Sequence, residues 1–119
     1  MTLRQLLELM AFPLLIAVGQ LLFKQTAQSV GAPQGLGWLL LLARSSSFWL
    51  AIVLYAGSTL LWLKILAGMP LSRAYPVVAL SFVVVPLMGW MVFHEAITTR
   101  VWLGMALIVG GVGLIGTAR

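Results

Sequence analysis

Ten side chains of this 119-residue sequence can carry charge near neutral pH: seven Lys or Arg, two Glu and one His. Two groups of polar residues stand out. Lys64, Ser72 and Arg73 precede a run of twenty uncharged residues from Ala74 to Phe93, and His94 and Glu95 close it. In an enzyme, a histidine beside a carboxylate would suggest acid–base work. Here His94 has no partner in sequence, and Glu95 lies just before the last apolar segment. A carboxylate there is either structural, favoured by the positive end of a helix dipole, or the holder of a substrate amine. Lys64 lies about one turn from the end of an apolar run, where it either snorkels to the headgroups or binds an anion. Gln20 puts an amide inside an apolar segment and needs a partner, on a neighbouring helix or on a substrate. Cysteine is absent, which excludes disulfides, thiolate metal sites and cysteine nucleophiles. The sequence carries no nucleotide-binding motif, metal-ligand cluster or catalytic triad. Neither an enzyme nor a bound cofactor or metal is expected.

The elements that must position these residues are membrane helices. Hydrophobic residues make up 62% of the chain, charged residues 8%, and the mean hydropathy is +1.12. A soluble domain carries about 25% charged residues, so the solvent for most of this surface is lipid. The reading is an all-α membrane protein: one domain of four transmembrane helices, with spans expected at about 6–23, 48–66, 74–93 and 101–117, each long enough for a bilayer core of about 30 Å. The net charge is +5, but the basic residues stand singly at span ends. That pattern means interfacial anchoring, and nucleic acid is not an expected partner. Glu8 interrupts the first apolar stretch and no small-residue cleavage site follows, so this segment is read as a retained span rather than a signal peptide.

Pro13 is expected to bend the first span. Pro76 and Pro86 are expected to bend the third, which then faces protein or a cavity, because freed carbonyls need partners that lipid does not supply. The connection over 25–47 is rich in Gly and Pro. Its short apolar patch Trp38–Ala43 either lies in the interface or extends span two backwards, broken at the serines. In span four, Ala106, Gly110, Gly113 and Thr117 form one stripe of small residues, suited to assembly or to internal packing. Four spans place Arg4, Lys64, Arg73 and Arg119 on one side and Lys24, Arg44 and Arg100 on the other. That is almost no bias, and it fits a chain that inserts both ways or is oriented by a partner. Four short helices enclose little volume, so a pathway requires a second copy or a paralogue, paired in inverted orientation.

Taken in order, Gly19-Gln20, Lys24-Gln25, Pro70-Leu71-Ser72, Ala74-Tyr75-Pro76, His94-Glu95, Trp102-x-Gly104 and Gly110-Gly111 resemble the drug/metabolite transporter superfamily. Within it the chain is similar to the four-helix, small multidrug resistance-like (EamA-like) branch, and there to the subunits of the flippase for 4-amino-4-deoxy-L-arabinose-phosphoundecaprenol. One departure is informative. The multidrug exporters of this branch carry a glutamate eight residues before the lysine of span one; here that position is Ile16, which cannot titrate. The resemblance therefore implies a lipid-linked substrate rather than proton/cation antiport. It also implies a multi-pass protein of the bacterial inner membrane that works as a homodimer or as a heterodimer with a paralogous subunit.

A polyprenyl-phosphate-linked sugar, as the implied cargo, needs cationic donors for its phosphate. Arg73 and Lys64 are the candidates at one face, brought together by the Pro70 turn, with Lys24 and Arg44 at the other. Tyr75, Trp62, Trp90 and Phe82 either line a groove for the sugar or pack. Gln20 and Glu95 complete the candidate substrate-binding set. The alternative reading is an exporter of polyamines or other small organic cations.

Overall fold

The computed structural model describes residues 2–117, so Arg119 of the charge comparison lies outside the described residues. Among the described residues six helices follow one another: α1 Leu3–Val30, α2 Leu36–Arg44, α3 Ser46–Gly68, α4 Leu71–Val78, α5 Ser81–Phe93 and α6 Thr99–Thr117. No strand occurs among the described residues. With α4 and α5 taken as one interrupted span over Leu71–Phe93, four helices are long and apolar enough to cross a membrane. The fold is the four-helix, small multidrug resistance-like bundle that the sequence implies.

α1 begins with a capping box. The Thr2 hydroxyl accepts from the Gln5 amide, and the Gln5 side chain accepts from the Thr2 amide, so two N-terminal donors are satisfied. Pro13 does not end the helix; its side chain is fully buried. Leu9, Phe12, Pro13, Ala17, Gly19 and Thr26 form the buried stripe of α1. It recurs mostly at helical spacing and makes α1 the most enclosed of the four spans.

α3 offers Ala51, Ser58 and Ile65 to this stripe, seven residues apart and all buried. Small residues on both sides let the backbones approach, and in lipid such packing replaces the hydrophobic effect as the source of association. At Gly19 the approach is closest: a Cβ there would stand 2.6 Å from a ring carbon of Tyr55. The hydroxyls of the buried residues Ser58 and Thr26 are satisfied internally, as lipid favours. Ser58 donates to the Leu54 carbonyl at 2.7 Å, and Thr26 donates to Leu22 at 2.8 Å while meeting Ser47 at 2.7 Å.

The third span is broken rather than only bent. Around Ala79–Leu80, between the two prolines, the amides of Ala79, Leu80, Phe82 and Val83 reach back three residues instead of four. The overwound turn separates α4 from α5. The patch at Trp38–Ala43 belongs to α2, a helix of its own that ends where Ser45 caps α3. Gly31 and Gly35, at φ 72° and 70°, turn the chain into it. The indoles of Trp38 and Trp49 tie it down by donating to the carbonyls of Gly31 and Ala43 at 3.1 and 2.7 Å.

α6 leans on α4 and α5 and buries only Met105. The stripe of small residues points elsewhere. A Cβ at Gly110 or Gly113 would meet nothing within 4 Å, and Ala106 and Thr117 are exposed. Internal packing against the first three spans is therefore not the use of this face.

Gly19 and Gly110 should respond oppositely to enlargement. Gly19→Val is expected to destabilise the chain in detergent by about 1–3 kcal/mol, the usual cost of overpacking, and to add little in a Tyr55→Ala background. Gly110→Val should leave the unfolding midpoint of the single chain nearly unchanged. An equal loss from both variants would contradict the packing described.

Candidate functional site

The packing of α1 against α3 and α5 brings charged residues together at both ends of the bundle, and an ion pair that ties α1 to another part of the chain forms at each. At one end, Lys64 near the close of α3 meets Glu8 in the second turn of α1, with Nζ–Oε1 at 2.6 Å. Arg4, one turn earlier on α1, donates from Nε to the same oxygen at 3.1 Å. Glu8 is the less exposed of the two acids, with 20% of its side chain accessible. Thr2, Gln5, Gly68 and Met69 complete a cavity of about 300 Å³ around this cluster. Two cations share one carboxylate, so the cluster keeps one net positive charge.

At the other end, Lys24 on α1 pairs with Glu95 in the α5–α6 connection, Nζ–Oε1 at 3.1 Å. His94 ends α5 in the left-handed region, at φ 56° and ψ 33°. That turn carries the chain back over the helix it has just left, and the Glu95 carboxylate comes to rest above Gly89: a Cβ at position 89 would stand 3.1 Å from Oε2. Gln20, Leu21, Val85, Pro86 and Phe93 line the cavity with these residues, enclosing about 350 Å³. Gln20 also donates its amide to the Tyr55 hydroxyl across α1 and α3. Its polar group thus has an interhelical partner and also borders this cavity.

Glu8 and Lys24 are about 24 Å apart along α1, at 1.5 Å per residue. That is close to the thickness of a hydrocarbon core, about 30 Å. Ile16 lies midway between them and packs against the core of Leu9, Phe12, Ile65 and Ala74. Among the described residues, all acids and their partners therefore sit toward the two ends of the bundle.

The residues expected from sequence to bind substrate fall into separate groups. Gln20, Lys24 and Glu95 share one cavity. Lys64 lies at the opposite end with Glu8. Arg73 is exposed in the first turn of α4 and makes no ion pair among the described residues; it does not line the Lys64 cavity. Tyr75 is 62% exposed and stands edge-on to Trp62, ring centres 6.3 Å apart, while Trp62 stacks on Phe12 at 4.9 Å. Trp90 meets Trp102 edge-on at 5.9 Å, and Phe82 is exposed.

Arg4, Gln5, Glu8 and Gly89 belong to these sites but were not among the expected residues. Arg4 and Glu8 carried a signal, four residues apart with opposite charge on a helix. Gly89 carried none, because its role depends on where the α5–α6 connection folds.

Comparison with known proteins gives the arrangement a family. The chain is 44% identical over 78 residues to a probable 4-amino-4-deoxy-L-arabinose-phosphoundecaprenol flippase subunit ArnE of Klebsiella pneumoniae (strain 342), covering 64% of this chain and 70% of that relative. It is 41% identical over 69 residues to the proteins of the same name from Salmonella paratyphi B (strain ATCC BAA-1250 / SPB7) and Salmonella newport (strain SL254), covering 58% of this chain and 62% of each relative, less than two thirds of their length. No family profile matches the chain, and no solved structure does. With four helices long and apolar enough to cross a membrane among its described residues, and by its likeness to these relatives, this multi-pass membrane protein belongs to the ArnE family of flippase subunits.

Proposed function

We propose that the chain is one subunit of a flippase that moves a polyprenyl-phosphate-linked amino sugar between leaflets, the cargo class printed in its relatives' names. The observation that carries this reading is the placement of charge. Both carboxylates are neutralised by lysines near the two ends of α1, and Ile16 occupies the middle. A proton/cation exchanger needs an ionisable group at depth; a lipid flippase needs cations where headgroups enter and leave.

On this reading Lys64 and Arg73 receive the phosphate at one face. Arg73 stands in the first turn of α4, whose N-terminal amides and dipole add to its attraction for an anion. The cluster of Arg4, Glu8 and Lys64 keeps one positive charge in excess, so a phosphate can displace Glu8 from Lys64 without leaving the carboxylate unpaired. Lys24 meets the phosphate at the opposite face. Tyr75 offers an exposed ring beside Trp62 for the sugar. The polyprenyl chain needs only an apolar flank, and the exposed Leu, Val and Ile side chains of every span supply one. The protein works as an inverted homodimer or with a paralogous subunit, in the bacterial inner membrane. The relatives' description as subunits and the open small-residue face of α6 support a partner.

Two experiments test this. In proteoliposomes loaded with a labelled polyprenyl-phosphate sugar, Arg73→Ala and Lys64→Ala should each slow leaflet exchange about tenfold or more, the effect of losing a charge-assisted phosphate contact. Native rates in both variants, or uptake of polyamines in place of lipid exchange, would reject the flippase reading. Orientation is read with cysteine, which the chain lacks. A single Thr2→Cys substitution should react with impermeant reagents from both sides of sealed cells. Reaction from one side only would reject the inverted homodimer and leave pairing with a paralogue.

A further inference from the structure

The two ion pairs are not equivalent, and the difference has a chemical consequence. Glu8 is held by two fixed cations on one oxygen. Glu95 is held by one, Lys24, through Oε1. Its second oxygen lies over Gly89, facing the cavity with Gln20 and Pro86, and makes no hydrogen bond to the described residues. The Lys24 and Glu95 side chains are 47% and 50% exposed, and a pair so accessible to solvent contributes little to stability. Yet a glycine keeps this position open in the middle of α5, at a cost in helix propensity. The arrangement holds a carboxylate with a spare acceptor beside a lysine that is easily released.

We propose that the Lys24–Glu95 cavity is the subsite that reads the amine of a zwitterionic lipid headgroup. The ligand's ammonium takes the place of Lys24 at Glu95, and the released Lys24 turns to the ligand's phosphate. The inference rests on the flippase reading and adds to it the group by which cargo is distinguished from other polyprenyl phosphates. One ion pair is exchanged for two, so neither Glu95 nor Lys24 is left without an opposite charge beside it. A purely anionic headgroup would take Lys24 and leave Glu95 unpaired and repelling the phosphate. The same acid that welcomes an amine therefore disfavours a ligand without one, which is how specificity is commonly built. The cavity, at about 350 Å³, lies at the lower end of the range of about 300–1,000 Å³ usual for small-ligand sites. Glu8 cannot serve in this way, because a second fixed cation, Arg4, already competes for it.

The test varies ligand and protein together. Proteoliposomes containing the full chain, with its partner subunit where one is required, are given a polyprenyl phosphate carrying an amino sugar, or the same lipid with the amine acetylated. For the wild type, acetylation should slow exchange at least tenfold. Glu95→Gln should move the two lipids at similar rates. Gly89→Val, which crowds the carboxylate without removing it, should likewise shrink the difference. Lys24→Gln should slow both lipids, because it meets the phosphate they share. Wild-type protein that moves both lipids equally would overturn the inference and leave the flippase reading standing. Wild-type protein that moves neither would overturn both. Full discrimination by Glu95→Gln would show that the amine is read elsewhere and would also overturn it.

Discussion

The register between α1 and α3 governs this molecule. Each step along α1 is answered by a step in the opposite direction along α3: Glu8 meets Lys64, Phe12 meets Trp62, Gln20 meets Tyr55, and Thr26 meets Ser47. Ala17, Gly19, Ala51 and Ser58 make that contact close enough to hold. In lipid there is no water to reward a slipped alternative, and a polar side chain moved out of register would lose its partner on the facing helix. The charged, aromatic and hydroxyl contacts therefore all enforce one alignment. The same alignment places the Ser58 hydroxyl, already bonded to Leu54, near the middle of the bundle, and moves the carboxylates and their lysines toward its ends.

That distribution separates two kinds of transporter that share a bundle of this shape. An exchanger of protons for cations works through one group that both ligands occupy in turn, and it has to sit where both sides can reach it. Here the middle level holds Ile16 and a satisfied serine. Each end instead holds a lysine and a glutamate in contact. A ligand bearing charge at its head and none along its tail can be handled at the ends alone, while the tail remains in lipid. Family membership and charge placement are independent observations, and they favour the same class of cargo.

Much of this could be read from the chain itself. Four apolar segments, their alternating direction and their poverty in charge follow from composition and length. The third span's interruption was foreshadowed by Pro76 and Pro86, although the tight turn at Ala79–Leu80 depends on how the segment settles between them. Lys64 shows what such reading leaves out. It and Arg73 flank the Pro70 turn, and closeness in sequence suggests one site for both. The Lys64 ammonium also turns toward α1, where Glu8 stands at the same depth. That partner was available to simple counting: Glu8 lies near the start of span one, and Lys64 near the end of an antiparallel span two. Gln20, Lys24 and Glu95 were singled out one by one. Their convergence required the left-handed turn at His94, which no pattern of hydrophobicity encodes.

The unequal enclosure of the spans adds a last constraint. α1 is packed on several sides, whereas α5 and α6 bury almost nothing beyond Gly89 and Met105. Lipid can solvate those faces, so exposure alone does not demand a partner. Small residues change the balance. A glycine on a lipid-facing surface offers acyl chains a shallow groove that they fill poorly, whereas a helix backbone fills it well and gains dispersion contacts. Gly110 and Gly113, with nothing near them, lie on α6, which contributes no residue to the lining of the Glu95 cavity. The face that would receive another helix is thus distinct from the face that builds the Glu95 cavity, so association and cargo binding can proceed on the same chain without competing for one surface.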